Sequence, residues 1–141
     1  LCAHLEPAAA PRVRVLPNVL HLHTPIRGTL RAGVHAAEIA AALHPTPAVG
    51  GVPGAVAARW IAETEAFPRG WYTGPVGWVD ARGDAELTVA LRCGLVRGAA
   101  AWLWAGGGIV EGSEPAAEWS ESALKLRPLL EALGAEGRRA G

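Results

Sequence analysis

The stretch Ala105–Lys125, AGGGIVEGSEPAAEWSESALK, organises the reading of this chain. It reads as the end of a strand, a glycine turn, a short strand and then a helix opening near Ser113 or Glu114. Ser, Glu and Pro suit a helix N-terminus, because side-chain oxygens can meet the first unpaired N–H groups and proline is tolerated in the first turn. Glu118, Glu121 and Lys125 stand three and four residues apart, which puts them on one helical face. The apolar stripe is Trp119, Ala123, Leu126, Leu130 and Leu133. Pro128 is expected to kink this helix or weaken its fourth turn, since it supplies no N–H.

Upstream lie three strand-like segments, Tyr72–Val79, Ala85–Cys93 and Ala99–Ala105, with turns at Asp80–Asp84 and Arg97–Gly98. That order implies an antiparallel meander. In the middle segment Leu87, Val89, Leu91 and Cys93 share one face, and Glu86, Thr88, Ala90 and Arg92 the other. Before the meander, a helix opens at Pro53 and runs to about Glu65, with residues 46–51 as a loop. The alanine-rich run Val34–Leu43 is helical and stops at Pro45 and Pro47. Arg12–Leu16 and Asn18–Thr24 alternate like strands, and Gly28 marks a turn. Residues 1–12 read as a proline-bracketed tail and residues 134–141 as a frayed basic one. The fold class is α+β, an antiparallel sheet meander with flanking helices.

The 141 residues suffice for one domain with its own core. Half are hydrophobic and 18% are charged, below the roughly 25% usual for soluble domains. The low charge implies that much of the surface is meant to be covered. Lys+Arg and Asp+Glu balance at 13 each, which gives no electrostatic case for nucleic acid or an acidic membrane. No run approaches the roughly 18 apolar residues of a membrane helix. The start, Leu1-Cys2-Ala3-His4, has no basic region followed by an apolar core, and the chain has no methionine, so it reads as processed or truncated. Cys2 and Cys93 have neither metal nor disulfide spacing, so the expected setting is reducing and cytoplasmic.

Several side chains can carry chemistry, each with a plainer alternative. Glu118, Glu121 and Lys125 can be a solvated face with an i,i+4 ion pair. They can equally hold Mg²⁺, which takes one or two carboxylates plus water and substrate oxygens, with Lys125 meeting a substrate anion. Gly106-Gly107-Gly108 lacks the spacing of a dinucleotide fingerprint. It is either a flexible turn or a backbone cradle for a carboxylate. Arg92 is either an edge-strand arginine or a bidentate carboxylate grip. Tyr72, the only tyrosine, fits core packing. His21 and His23 share a strand face, but nothing completes a zinc set around them.

Taken in order, several blocks resemble one family. They are Val19-Leu20-His21-Leu22 with Thr24-Pro25-Ile26-Arg27-Gly28, then Leu43-His44-Pro45-Thr46-Pro47-Ala48-Val49, then Arg69-Gly70-Trp71-Tyr72-Thr73-Gly74-Pro75-Val76-Gly77-Trp78. After these come Val89-Ala90-Leu91-Arg92, Ala105-Gly106-Gly107-Gly108-Ile109-Val110, and Glu118 with Glu121 and Lys125. From about Pro17 to Leu133 the chain is similar to the C-terminal part of the chorismate-utilising enzymes. That family includes isochorismate, salicylate, anthranilate and aminodeoxychorismate synthases. The resemblance implies that residues 1–141 are the C-terminal portion of a chorismate-binding catalytic domain, with the layered α/β fold of anthranilate synthase component I left incomplete.

The resemblance also implies roles. Glu118 and Glu121 match a carboxylate pair around Mg²⁺, with Glu121 the more direct ligand. Lys125, Arg92 and Tyr72 match residues that hold the substrate's carboxylates. Gly106 and Gly108 match glycines whose amides approach a carboxylate, and the family usually has alanine where Gly107 stands. His21 matches the active-site histidine near the ring. Chorismate is a dianion, so Arg, Lys, backbone N–H and Mg²⁺ form a suitable set. The block around Ala48 looks most like isochorismate synthases, because salicylate synthases tend to carry threonine there to assist pyruvate loss. The general base lysine, the general acid glutamate and the first metal pair belong to the family's N-terminal part.

The reading is therefore a piece of an Mg²⁺-dependent isomerase acting on chorismate and isochorismate, inactive without the missing N-terminal half. The alternatives are a salicylate or anthranilate synthase-type enzyme, or a non-catalytic chorismate-binding remnant or subunit. Siderophore, menaquinone and salicylate routes all begin at isochorismate.

Overall fold

The computed structural model describes residues 1–16 and 19–135. Asn18 of the expected second strand and the end of the expected basic tail lie outside them. The chain comprises two units, Leu1–Ala42 and a second beginning at Leu43.

In the first unit β1 (Cys2–Pro7) pairs antiparallel with β4 (Ile26–Leu30), and β2 (Arg12–Leu16) pairs with β3 (Val19–His23). The expected tail is thus a strand, and the expected turn at Gly28 is the middle of its partner. Gly28 opposes Leu5, and a Cβ there would lie 2.9 Å from the His4 carbonyl oxygen. Glycine here admits a close backbone approach; it does not mark a reversal. The first unit ends on α1 (Ala36–Leu43). Its start is capped by reciprocal bonds, from Ala37 N–H to His35 Nδ1 at 3.1 Å and from His35 N–H to Glu38 Oε1 at 3.0 Å. The Glu38 half is that of a capping box, while the His35 ring accepts from the second helical N–H instead of the third.

The second unit opens with α2 (Pro47–Gly50), a single turn where a loop was expected, with Pro47 at its start. It continues through α3 (Gly54–Thr64), close to the expected helix. Four strands follow, β5 (Pro75–Val79), β6 (Ala85–Val89), β7 (Cys93–Arg97) and β8 (Ala100–Trp104). The α+β class holds, but the meander is two separate hairpins, β5–β6 and β7–β8. The expected strand Ala85–Cys93 divides after Val89. Ala90 N–H still donates to the Gly74 carbonyl at 2.9 Å, and then Arg92 turns the chain with a φ of 49°. Leu91 and Cys93 continue the alternation across this break, so a period of two cannot reveal it. The last helix, α4 (Pro115–Ala132), starts where expected and runs through Pro128. No strand forms between Ala105 and α4, where a short one was expected.

Gly77 fixes the first hairpin. It opposes Leu87, and a Cβ added to it would overlap the Glu86 carbonyl of the partner strand. Backbone cannot swing aside as a side-chain tip can. Gly77→Ala is therefore expected to cost about 3 kcal/mol, the upper end for overpacking. Amide exchange would show it as lost protection at Val76 and Thr88, with α4 protection retained.

Among the described residues no hydrophobic side chain is buried, and Thr73, 9% exposed, is the one buried polar residue. Two-stranded sheets are marginal alone and need a further layer, and the apolar surface for such a layer is present. On the apolar stripe expected for α4, Trp119 is 79% exposed. The low charge fraction read from the sequence corresponds to this uncovered surface.

Candidate substrate and metal site

The second unit gathers most of the candidate residues around the loop that follows β8. Having no Cβ, Gly106-Gly107-Gly108 lets other side chains lie against the backbone. A Cβ at Gly106 would stand 2.9 Å from Tyr72 Oη, and one at Gly107 would stand 2.8 Å from Glu118 Oε2. Nothing lies within 4 Å of a Cβ at Gly108. The loop thus passes between the tyrosine hydroxyl and the Glu118 carboxylate, with its third glycine open.

Helix α4 supplies the charges. Lys125 Nζ donates to the Gly106 carbonyl at 3.0 Å and pairs with Glu121 Oε1 at 2.5 Å. The Lys125 side chain is 22% exposed, so its ammonium is held against the loop and does not roam in solvent. Its hydrogen bond to Glu121, and then its charge, hold that carboxyl below the usual range, with Arg92 adding to the effect. Arg92 lies in the turn after β6 and not on a strand face shared with Glu86 and Thr88.

Glu118 is held from the other side. Ser113 Oγ donates to Glu118 Oε1 at 2.7 Å, and the same hydroxyl accepts from Val110 N–H at 3.2 Å. Ser113 ties the carboxylate to the end of the glycine loop. Ile109, Ser113, Pro115, Glu118, Trp119 and Ser122 line an open depression of about 340 Å³ beside it.

Tyr72 is half-buried, and burial raises its phenol above the ordinary value while the nearby Arg69 guanidinium acts in the opposite direction. Ala48 sits exposed on α2. His21, in the first unit, faces solvent from β3 with Arg14 opposite, and His23 faces Arg12.

Among the described residues no three His, Cys, Asp or Glu side chains gather as a metal cluster. Glu118 and Glu121 are two hard oxygen donors on one face of α4. Their number fits Mg²⁺, which completes its shell with water and substrate oxygens.

The comparisons with known proteins bear on this arrangement. The family model for chorismate-binding enzymes matches residues 1–134. The chain belongs to the chorismate-binding enzymes. Isochorismate synthase MenF of Bacillus subtilis is 44% identical over 97% of this chain and 29% of its own length. The salicylate biosynthesis isochorismate synthase of Pseudomonas aeruginosa is 45% identical over 94% of the chain and 28% of its own length. A crystal structure assigned as the 2,3-dihydroxybenzoate-specific isochorismate synthase DhbC of Bacillus anthracis superposes with a TM-score of 0.89 at 38% identity, covering 96% of this chain and 36% of that one. The chain thus spans about 30% of the length of the curated relatives named here.

Two contributors to this site in a chorismate-binding enzyme, Arg69 and Ser113, are not visible as such in the sequence. The sequence shows Arg69 only as part of the Arg69–Trp78 block and Ser113 only as a helix start; Gly107 is legible as part of the glycine loop but not as the point where Glu118 approaches it. Spacing does carry a faint sign of Arg69, three residues before the sole tyrosine and directly after Pro68. Nothing in the sequence shows that Ser113 reaches Glu118, because that depends on how the intervening turn closes.

Proposed function

We propose that the protein containing this chain converts chorismate to isochorismate, and that this chain supplies a substrate cradle and one carboxylate pair for Mg²⁺. The observation that carries the proposal is Lys125, held between the Gly106 carbonyl and Glu121. A fixed ammonium, a guanidinium and a side-chain-free backbone suit the carboxylates of a small dianion. Glu118 and Glu121 would hold the ion, which when bound supplies positive charge for a substrate carboxylate. The names of the relatives support isochorismate as product. Ala48 supports it too, having no hydroxyl to assist pyruvate loss. Within this chain Tyr72, Arg92, Lys125 and the amides of Gly106 and Gly108 bind and orient the substrate.

The test is an assay of the full product of the reading frame with chorismate. Isochorismate is expected as the sole product, with turnover lost on chelation and restored by added Mg²⁺. Release of pyruvate with salicylate, or turnover undiminished by chelator, would contradict the proposal.

A further inference from the structure

Arg69 makes more specific contacts than any other described side chain of the second unit. Its Nε and Nη2 both bond the Glu65 carboxylate at the end of α3. Its Nη1 donates to the Val49 carbonyl at 2.8 Å and lies 3.4 Å from Thr73 Oγ1. Its guanidinium stands 5.9 Å from the centre of the Tyr72 ring, within cation–π range. The side chain is 26% exposed, and each fork of Glu65 holds Arg69 fully charged while Arg69 lowers the Glu65 carboxyl.

These contacts converge on two candidate substrate residues. Val49 follows Ala48 directly on α2. Tyr72 precedes Thr73, which takes the left-handed φ of 65° and is the buried polar residue noted above. A threonine in that conformation is strained and persists only where its surroundings hold it. Here Thr73 N–H donates to the Ala90 carbonyl at 2.8 Å, and its hydroxyl donates to the Tyr72 carbonyl at 2.6 Å. At its other end Tyr72 presents its hydroxyl to Gly106, the residue whose carbonyl receives Lys125.

We infer that Arg69 is a positioning residue that sets the orientation of the Tyr72 ring and of the turn carrying Ala48 relative to the glycine loop. It acts through Tyr72 and Val49 and does not itself touch substrate. The planar fork is required, because one ammonium cannot bond both Glu65 oxygens, reach Val49 and face the ring at once. The consequence for substrate rests on the function proposed above; the geometric role does not.

The test places fluorotyrosine at position 72 in the full product of the reading frame, giving one fluorine resonance. Arg69→Lys and Arg69→Gln are compared with the parent, with chorismate affinity and thermal midpoint measured alongside. Both variants are expected to displace the resonance while leaving it distinct from the urea-unfolded position. Chorismate binding weakens about tenfold, the loss of one charge-assisted contact's worth of order. Arg69→Lys keeps the charge, so a loss there assigns the effect to the fork. An unmoved resonance in both variants would overturn the inference. So would a resonance at the unfolded position together with a collapsed midpoint, which is what a purely structural arginine would give. If chorismate leaves the parent resonance unmoved while both variants displace it, the geometric role stands, and the assignment of Tyr72 to substrate fails.

Discussion

Expressed as these 141 residues alone, the chain is expected to sediment as aggregate or as a loosely folded species, to bind an apolar dye strongly, and to leave chorismate unconverted. The cause is surface. No described hydrophobic side chain is buried, and residues as large as Trp60, Phe67, Trp71 and Trp119 are more than half exposed. Monomers rarely expose apolar patches beyond a few hundred Å². Four two-stranded sheets also leave eight edges with unpaired N–H and C=O groups, each a template for another chain. Co-expression with the remaining part of the fold, from a relative if need be, is expected to restore solubility and turnover together. Analytical ultracentrifugation of the separate chain decides this prediction. A monodisperse monomer that turns over chorismate with Mg²⁺ would refute it.

Replacing Lys125 with methionine is expected to lower kcat/KM for chorismate by about 10²–10³ in the full product of the reading frame, the range for removing one preorganised charge-stabilising donor. Methionine keeps most of the side-chain volume and helix propensity, so α4 survives. What goes is the ammonium between the Gly106 carbonyl and Glu121. Arg92 remains near Glu121 and retains part of the positive field. Glu121 loses the partner that holds its carboxyl low, so its pKa rises toward the ordinary carboxylate value. Steady-state kinetics with both KM and kcat resolved is the check. A change confined to a few-fold in KM would mean that Lys125 is only the partner of a surface ion pair.

Much of this site was legible because helical spacing is strict. Glu118, Glu121 and Lys125 share a face by arithmetic, and α4 places them there. Glycine at 106–108 was legible as a close-approach loop, though the sequence could not say that Tyr72 and Glu118 are what approach it. Arg92 was found but misplaced, because alternation continued through its turn. Strand β1 was missed because its partner β4 lies some twenty residues downstream, and a pairing that distant leaves no local periodicity. In the Arg69 network only the contact to Val49, twenty residues away, is hidden for the same reason; Glu65 and Thr73 each stand four residues from Arg69, but Pro68 and Gly70 around it interrupt any periodic pattern.

The most direct measurement is a crystal structure of the full product of the reading frame with chorismate bound. A substrate carboxylate is expected within hydrogen-bond distance of Lys125 Nζ and of the amides of the Gly106–Gly108 loop, with Tyr72 alongside. Chorismate bound elsewhere, with Lys125 still engaged only by Gly106 and Glu121, would contradict the assignment of this face of α4 and its glycine loop to the substrate.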